Sequence, residues 1–375
     1  MQHLKLTPFP APRRHPSKRL CHQRGMTLVE WMVSITISLI LLTGLSALIA
    51  RQSSTQAELE KSSRQIENGR YAMQLLQDDI QLAGYYGEYS GAATLPLPTS
   101  LPNPCAVTAA LLSEALPFHV QGFDAPASIP TEFVGCPASF NAVNHVSGTD
   151  ILVVRRVDPE TITGALVPGQ VYLQSGLTTS GLEFSYVLAV AAASSVDTGV
   201  FKLKKKDGTS TAPLRKYHVE IYFVSPCSKP NGTNCSADNT DDGGVSVPTL
   251  KRLELTAPGG AGTVPTFTTT PLVEGIENMQ IDYGFDTTGD GAPDSYAKDA
   301  APEAVWATNP AHWGNVMAVR LHLLARSNER SAGHKDTKTY NLGLDGTTAA
   351  TNDNFKRRVF SQLVRVVNPS SRRDQ

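Results

Sequence analysis

The chain has 375 residues, 41% of them apolar and 18% charged, with 12 Phe, 11 Tyr and 3 Trp. That is about two average domains' worth of sequence with ample material for a core, and it excludes a wholly disordered or collagen-like chain. The net charge of −1 gives no reason to expect a nucleic-acid partner, but it is an average over unlike parts. The first 25 residues hold Lys5, Arg13, Arg14, Lys18, Arg19 and Arg24 and no Asp or Glu. Taking those six from the 33 basic residues leaves 27 against 34 acidic ones, so the rest of the chain sits at −7.

Met26 to Ala50 forms an apolar run of 25 residues whose only ionisable side chain is Glu30, ended by Arg51 and Gln52. As a helix it would measure about 37 Å, enough to cross the hydrocarbon core of a bilayer. The basic block before it places residues 1–25 in the cytoplasm and the bulk of the chain outside. A secretory signal has a shorter apolar run and a small-residue cleavage site, and neither is present before Arg51. A carboxylate inside such a span costs about 2.5–3.5 kcal/mol by insertion scales, so Glu30 should have a partner or a task.

Gly25-Met26-Thr27-Leu28-Val29-Glu30, preceded by Arg24 and followed by the apolar run, resembles the processing site of type IV prepilins and pseudopilins. The resemblance implies that an inner-membrane prepilin peptidase cuts between Gly25 and Met26 and methylates the new amino terminus. Glu30 would become the fifth mature residue and offset the α-amino charge of a neighbouring subunit during assembly. A plain signal anchor with an accidental Glu is the bland alternative. The 25-residue leader is longer than many in the family, so either it is unusually long or the true start lies further downstream.

From Gln52 to Ala83 the chain is rich in helix formers and free of Pro. Leu59, Ile66, Met73 and Ile80 recur every seven residues, with Ser62, Gly69, Leu76 and Ala83 beside them. Gly69 and Ser62 would leave a coiled-coil seam hollow, whereas they suit a helix lying closely on a sheet. Gly84 followed by Tyr85 and Tyr86 makes a helix stop. The run from Leu76 through Asp79, Ile80 and Ala83 to Tyr85 resembles the end of this helix in PilW-type minor pilins.

Residues 86–149 are rich in Pro, Ala, Ser and Gly without a sustained period and read as an irregular connection, with a short helix near Ala109–Ala115. Alternation follows. Tyr217, Val219, Ile221 and Phe223 face away from His218, Glu220 and Tyr222. Met279, Ile281, Tyr283 and Phe285 oppose Gln280, Asp282 and Gly284, and Met317, Val319, Leu321 and Leu323 oppose Arg320 and His322. Further strands are expected at Asp150–Val157, Gln170–Gln174, Leu182–Val190, Val200–Lys205, Leu250–Leu255 and Arg358–Val367. The expected fold is therefore α+β and pilin-like: a long amino-terminal helix whose stripe covers the apolar face of a mostly antiparallel sheet. The expected parts are leader 1–25, membrane span 26–50, amphipathic helix 51–85, connection 86–149 and β-rich domain 150–375. Gly275 to Met279, the Trp306/Trp313 segment and the strand Val316–Arg326 are again similar to PilW-type proteins.

With the cleavage that the resemblance implies, Cys21 leaves with the leader, and the exported chain keeps Cys105, Cys136, Cys227 and Cys235. Four cysteines allow three pairings. Cys227–Cys235 and Cys105–Cys136 are favoured because each joins neighbours in sequence, and chain entropy assigns them about 2.6 and about 3.7 kcal/mol. A zinc site lacks a C-x-x-C or a nearby His pair. Asp286, Thr288, Asp290 and Asp294 stand at the first, third, fifth and ninth positions of an EF-hand-like loop, with Gly291 sixth and the Ala292 carbonyl seventh. Ala297 replaces the bidentate Glu at the twelfth, so any calcium would be weakly held, and a solvated acidic turn explains the same residues. Asp238, Thr240, Asp242 and Gly243 repeat the spacing, with Ser246 ninth; a disulfide-tied loop accounts for it equally.

No nucleophile elbow, H-E-x-x-H, Walker A or dinucleotide fingerprint appears, and the exported basic run Lys202–Lys206 suits a solvated face. The sequence offers no enzyme, and no cofactor beyond possible calcium. The resemblance implies a minor pilin of a type IV pilus, anchored in the inner membrane with its carboxyl-terminal domain in the periplasm and assembled into the fibre, with its tip a candidate position. Its partners would be prepilin peptidase, other minor pilins, the major pilin and a large tip adhesin, and its role the priming of pilus assembly in support of twitching motility and adhesion. The alternatives are a minor pseudopilin of a type II secretion system and a signal-anchored periplasmic binding protein.

Overall fold

The computed structural model describes residues 25–181, 183–192, 199–236, 240–258, 264–298 and 310–373. The chain divides into two units, residues 1–57 and 58–375. Helix α1 (Leu28–Leu82) contributes to both. In the first unit every described residue is exposed, including Leu28, Ile40, Leu41, Leu42 and Leu48. In water so much bare apolar side chain would be strongly unfavourable; in lipid it is the expected state of a spanning helix.

In the second unit α1 buries Gln65, Gly69, Ala72, Met73, Leu76, Asp79 and Ile80. Gln65, Ala72 and Asp79 recur every seven residues beside Gly69 and Leu76 and beside Met73 and Ile80, so the covered face is shifted to one side of the expected stripe and begins only at Gln65. Leu59 is therefore exposed and Ile66 half-buried, while Gln65 and Asp79 lie under cover, which corrects the outer part of the expected stripe. Gly84, at φ +71°, ends the helix: its N–H reaches Arg155 O at 2.9 Å, and a Cβ there would stand 2.9 Å from Pro369.

Chain order after α1 runs through α2 (Ala109–Glu114), β1 (Val120–Phe123), β2 (Ile151–Val157), β3 (Val171–Leu177), β4 (Phe184–Val190), β5 (Leu214–Ser225), β6 (Thr249–Thr256), β7 (Thr266–Glu274), β8 (Ile276–Phe285), β9 (Ser295–Ala297), β10 (Val316–Arg326), β11 (Arg357–Arg365) and α3 (Val367–Arg373). All described strand pairs are antiparallel. Strand β5 is the hub of the first sheet: Leu214–Lys216 pair with β3, Tyr217–Tyr222 with β2, and Glu220–Ser225 with β6. The second sheet has the order β11-β10-β8-β9. Val200–Lys205 is not a strand; only Lys204 makes isolated bridges, to Leu177 and Thr211. Leu182 and Trp306 lie outside the described residues.

Two apolar clusters show where the helix lies. Ala72, Met73, Leu76, Ile80 and Ala83 of the α1 segment share one with Leu152, Val154, Tyr222 and Val224 of the first sheet and with Ile281, Tyr283, Val319 and Leu321 of the second. On the second sheet the helix thus meets the expected apolar face. On the first it meets the face of Tyr222, against expectation. Tyr217, Val219, Ile221 and Phe223 instead pack against Tyr86, Tyr89, Leu112, Phe133 and Phe140. The aperiodic segment 86–149 therefore supplies the second cover of the sheet as well as strand β1.

Candidate assembly surface and helix seat

The amino-terminal residues come together around one hydrogen-bonded box. Thr27 N–H and Thr27 O–H donate to Glu30 Oε2 at 3.0 and 3.2 Å, and Glu30 N–H donates to Thr27 Oγ1 at 3.3 Å. This Thr-x-x-Glu capping box satisfies donors that the first turn of α1 leaves open, and it puts a carboxylate at the positive end of the helix. Glu30 thus has a task within its own chain. Met26, the expected new amino terminus, directly precedes the box, and both it and Gly25 are exposed.

A second carboxylate on α1, Asp79, is answered from the strands. Arg156 of β2 reaches it at 2.8 Å and, through the same Nη2, reaches Glu220 of β5 at 3.1 Å. Tyr222 O–H donates to Asp79, and Arg252 of β6 lies 3.4 Å from Glu220 and 2.9 Å from Glu254. Burial, then repulsion from Asp79, lifts the Glu220 carboxyl to about 7, against the pull of Arg156, His218 and Arg252. The His218 contact first, then Arg252 and Lys216, takes Glu254 down to about 2 against the effect of burial. Burial costs Arg156 its charge in principle, but Glu220 and Asp79 outweigh that and raise its pKa. Sequence reasoning placed Asp79 in a family-like run and Glu220 on a polar strand face, but nothing in spacing joins them.

Polar clips fix the rest of the helix. Gln65 Nε2 donates to Ala325 O at 2.7 Å and to Lys356 O at 2.9 Å, Asn68 donates to Glu274 O, and Gln362 donates to Gln77 at 2.6 Å. Gly69 is needed because a Cβ there would enter the Phe360 ring.

Cys105–Cys136 and Cys227–Cys235 are bonded, with Cα atoms 5.3 and 5.7 Å apart. Beside the second bridge, Asp241 accepts from the Asn231 and Ser236 amides, and Asp242 accepts from Ser228, Lys229 and Val247. Asp238 lies outside the described residues. In the 286–294 loop, Asp286 accepts from Gly289 N–H and Gly291 N–H, and Arg373 of α3 pairs with it at 2.9 Å. Arg373 and the amides hold the Asp286 carboxyl below its ordinary range despite burial. Asp294 accepts from Thr287 and Thr288, while Asp290 accepts from Ala292 N–H, whose residue was expected to offer its carbonyl. The structure brings Asp286, Thr288 and Asp294 together, but through N–H and O–H donors of the loop itself.

Residues 20–46 match the family model of the prokaryotic N-terminal methylation motif, and residues 236–368 match that of type IV pilus-assembly protein W. The chain thus carries two segments similar to type IV pilus families, one at its amino terminus and one in its carboxyl-terminal third. No curated protein matches it. A solved type IV-like pilin from Thermus thermophilus is 14% identical over 54% of this chain and 86% of that one, with a TM-score of 0.23. The segment similar to type IV pilus-assembly protein W contains β6 to β11, hence Arg252 and Glu254. Asp79, Arg156 and Glu220 lie before it.

Proposed function

We propose that the protein is a minor pilin, cleaved after Gly25 and methylated at Met26, that works in a minor-pilin complex priming the assembly of a type IV pilus. The observation that carries this reading is the capped, wholly exposed apolar stretch that opens α1, beginning inside the methylation motif. Among the described residues such a stretch is exposed throughout, and it is fit to pack first in lipid and then against the helices of other subunits. Assembly by binding, rather than catalysis, is the corresponding mechanism. Inner-membrane anchoring with the β-rich domain in the periplasm, use of the fibre in twitching motility and adhesion, a position at the tip, and partnership with prepilin peptidase, other pilins and a tip adhesin belong to the same proposal.

The test is to express the chain with and without a prepilin peptidase and to sequence its amino terminus. The expected product begins at Met26 only where the peptidase is present, and Gly25→Arg blocks its formation. Unchanged mass in both strains would overturn the reading. A type II secretion pseudopilin would pass the same test, and deletion of the gene separates the two: loss of surface pili marks the minor pilin, loss of secreted enzymes the pseudopilin.

Calcium at Asp286, Thr288, Asp290, Ala292 and Asp294 is a separate proposal, with a condition set by Arg373. The ion would have to displace that guanidinium from Asp286. Calorimetric titration of calcium into the full chain in detergent, wild type beside Asp290→Ala, checks it: heat in the first and none in the second is the expected result, and no heat in either refutes it.

A further inference from the structure

The charged residues under α1 do not balance. Four carboxylates meet there: Asp79 from α1, Asp158 at the end of β2, Glu220 of β5 and Glu254 of β6. Three side chains that are cationic at neutral pH answer them: Arg156 of β2, Lys216 of β5 and Arg252 of β6. Strand β7, the next neighbour, sets only Thr268 and Thr270 opposite Glu254 and Arg252. Tyr222 contributes a hydroxyl that donates to Asp79. With His218 neutral the group is one positive charge short.

His218 is buried at the centre of this group. Its Nε2 lies 3.2 Å from Asp158 Oδ2, while its Nδ1 lies 3.6 Å from Glu254 Oε1 and 3.9 Å from Glu220 Oε1. Ionised carboxylates only accept hydrogen bonds, and a neutral imidazole has one nitrogen that also only accepts. Neither ring nitrogen has a hydrogen-bond partner, so the three carboxylates bear on the ring by charge and not through directed hydrogen bonds. A proton on the ring or on a carboxyl reduces the unbalanced negative charge of the group.

We propose that the seat of α1 is a proton-closed clasp: the Asp79–Arg156–Glu220–His218–Glu254 cluster takes up one proton between pH 8 and pH 6, and this tightens residues 72–82 onto the first sheet. The coupling to the helix runs through Arg156. One guanidinium nitrogen serves both Asp79 and Glu220, and the two carboxylates repel across it. A proton gained on Glu220, or on His218 beside it, removes the excess negative charge and leaves Arg156 to Asp79. The clasp does not depend on the pilus reading, since it lies wholly within the second unit.

The test is hydrogen exchange on the full chain in detergent micelles at pH 8, 7 and 6, read as protection factors for amides 72–82 so that the intrinsic pH dependence of exchange divides out. Linkage of one proton allows up to about tenfold greater protection per pH unit of acidification. Glu220→Gln carries the neutral form permanently and should show high protection at all three pH values. Asp79→Asn removes one negative charge by another route and should also flatten the slope, which keeps the test alive if Glu220→Gln fails to fold. Flat protection in the wild type, or a wild-type slope that survives in the folded variants, would overturn the proposal.

Discussion

Helix α1 carries two carboxylates that are answered in opposite ways. Glu30 is satisfied within four residues by the backbone and hydroxyl of Thr27. Asp79 is satisfied by Arg156 and by Tyr222, which lies 143 residues away in sequence. The first stands at the start of a stretch with no buried residue; the second lies in a stretch with a covered face. Where a helix has no tertiary neighbours, its polar groups must be closed locally, and the exposed apolar surface stays free for other molecules. Where it packs, polar closure moves to the neighbours and becomes part of what holds the helix down.

The strongest way to break this contrast is to remove the distant partner. Arg156→Met leaves Asp79 and Glu220 buried without their shared cation and should cost about 3–5 kcal/mol, the usual result of breaking a buried pair from one side. Denaturant unfolding of the full chain in detergent measures it, and a loss below 1 kcal/mol would mean that Arg252 and Tyr222 suffice. Acid probes the same unit next. Burial, against a hydrogen bond to Val316 O, takes His119 to about 4; burial, against one to Thr149 O, does the same for His145. Both are lowered below the unfolded value of 6.5, so the neutral forms stabilise the fold fully above that pH, and the contribution is lost as pH falls from 6.5 through 4. The linkage amounts to about 3 kcal/mol for each ring once both states are protonated. His119→Gln should reduce the loss of stability on acidification, a trend opposite in sign to the one expected locally at amides 72–82.

The legibility of the sequence follows the same division. Gly25, the apolar run, Glu30 and the stop at Gly84 are readable because their signals are local: a motif, a hydropathy step, a left-handed turn. Strand β5 is readable by its alternation, but the face chosen by α1 is not. Tyr217, Val219, Ile221 and Phe223 look like the inner face on polarity alone, yet Tyr86, Phe133 and Phe140 from an aperiodic segment cover them. The helix takes the face of Glu220 and Tyr222 because its own Asp79 is answered there, a match that no spacing records. Strand β7 escapes notice for a simpler reason: Thr-rich and broken by Pro271, it fits an edge and little else. The bonded pairs Cys105–Cys136 and Cys227–Cys235 lay among three open pairings, and nearness in sequence pointed to the right ones.

A smaller effect probes contact rather than charge. Gly69→Val forces a branched side chain into the space of the Phe360 ring and should cost about 1–3 kcal/mol by overpacking. Phe360→Ala in the same chain should recover part of that, and additive losses in the unfolding experiment would show that the two residues are not in contact.

The smallest effect belongs to the local end of the comparison and separates two roles of Glu30. Thr27→Ala removes the hydroxyl of the capping box and should cost about 1 kcal/mol at the start of α1, seen as faster amide exchange over residues 28–31 in micelles. Glu30→Gln keeps an oxygen for the Thr27 amide but carries no charge, so exchange there should stay within about twofold of the wild type. If Glu30 acts only as a cap, Glu30→Gln should enter fibres normally and Thr27→Ala poorly. If its charge neutralises the amino terminus of a neighbouring subunit, the order reverses: Glu30→Gln is processed at Gly25 but left out of fibres, while Thr27→Ala assembles. Recovery of each variant in sheared surface fraction and in membranes decides between them, because a cap is a property of one chain and a charge pair requires two.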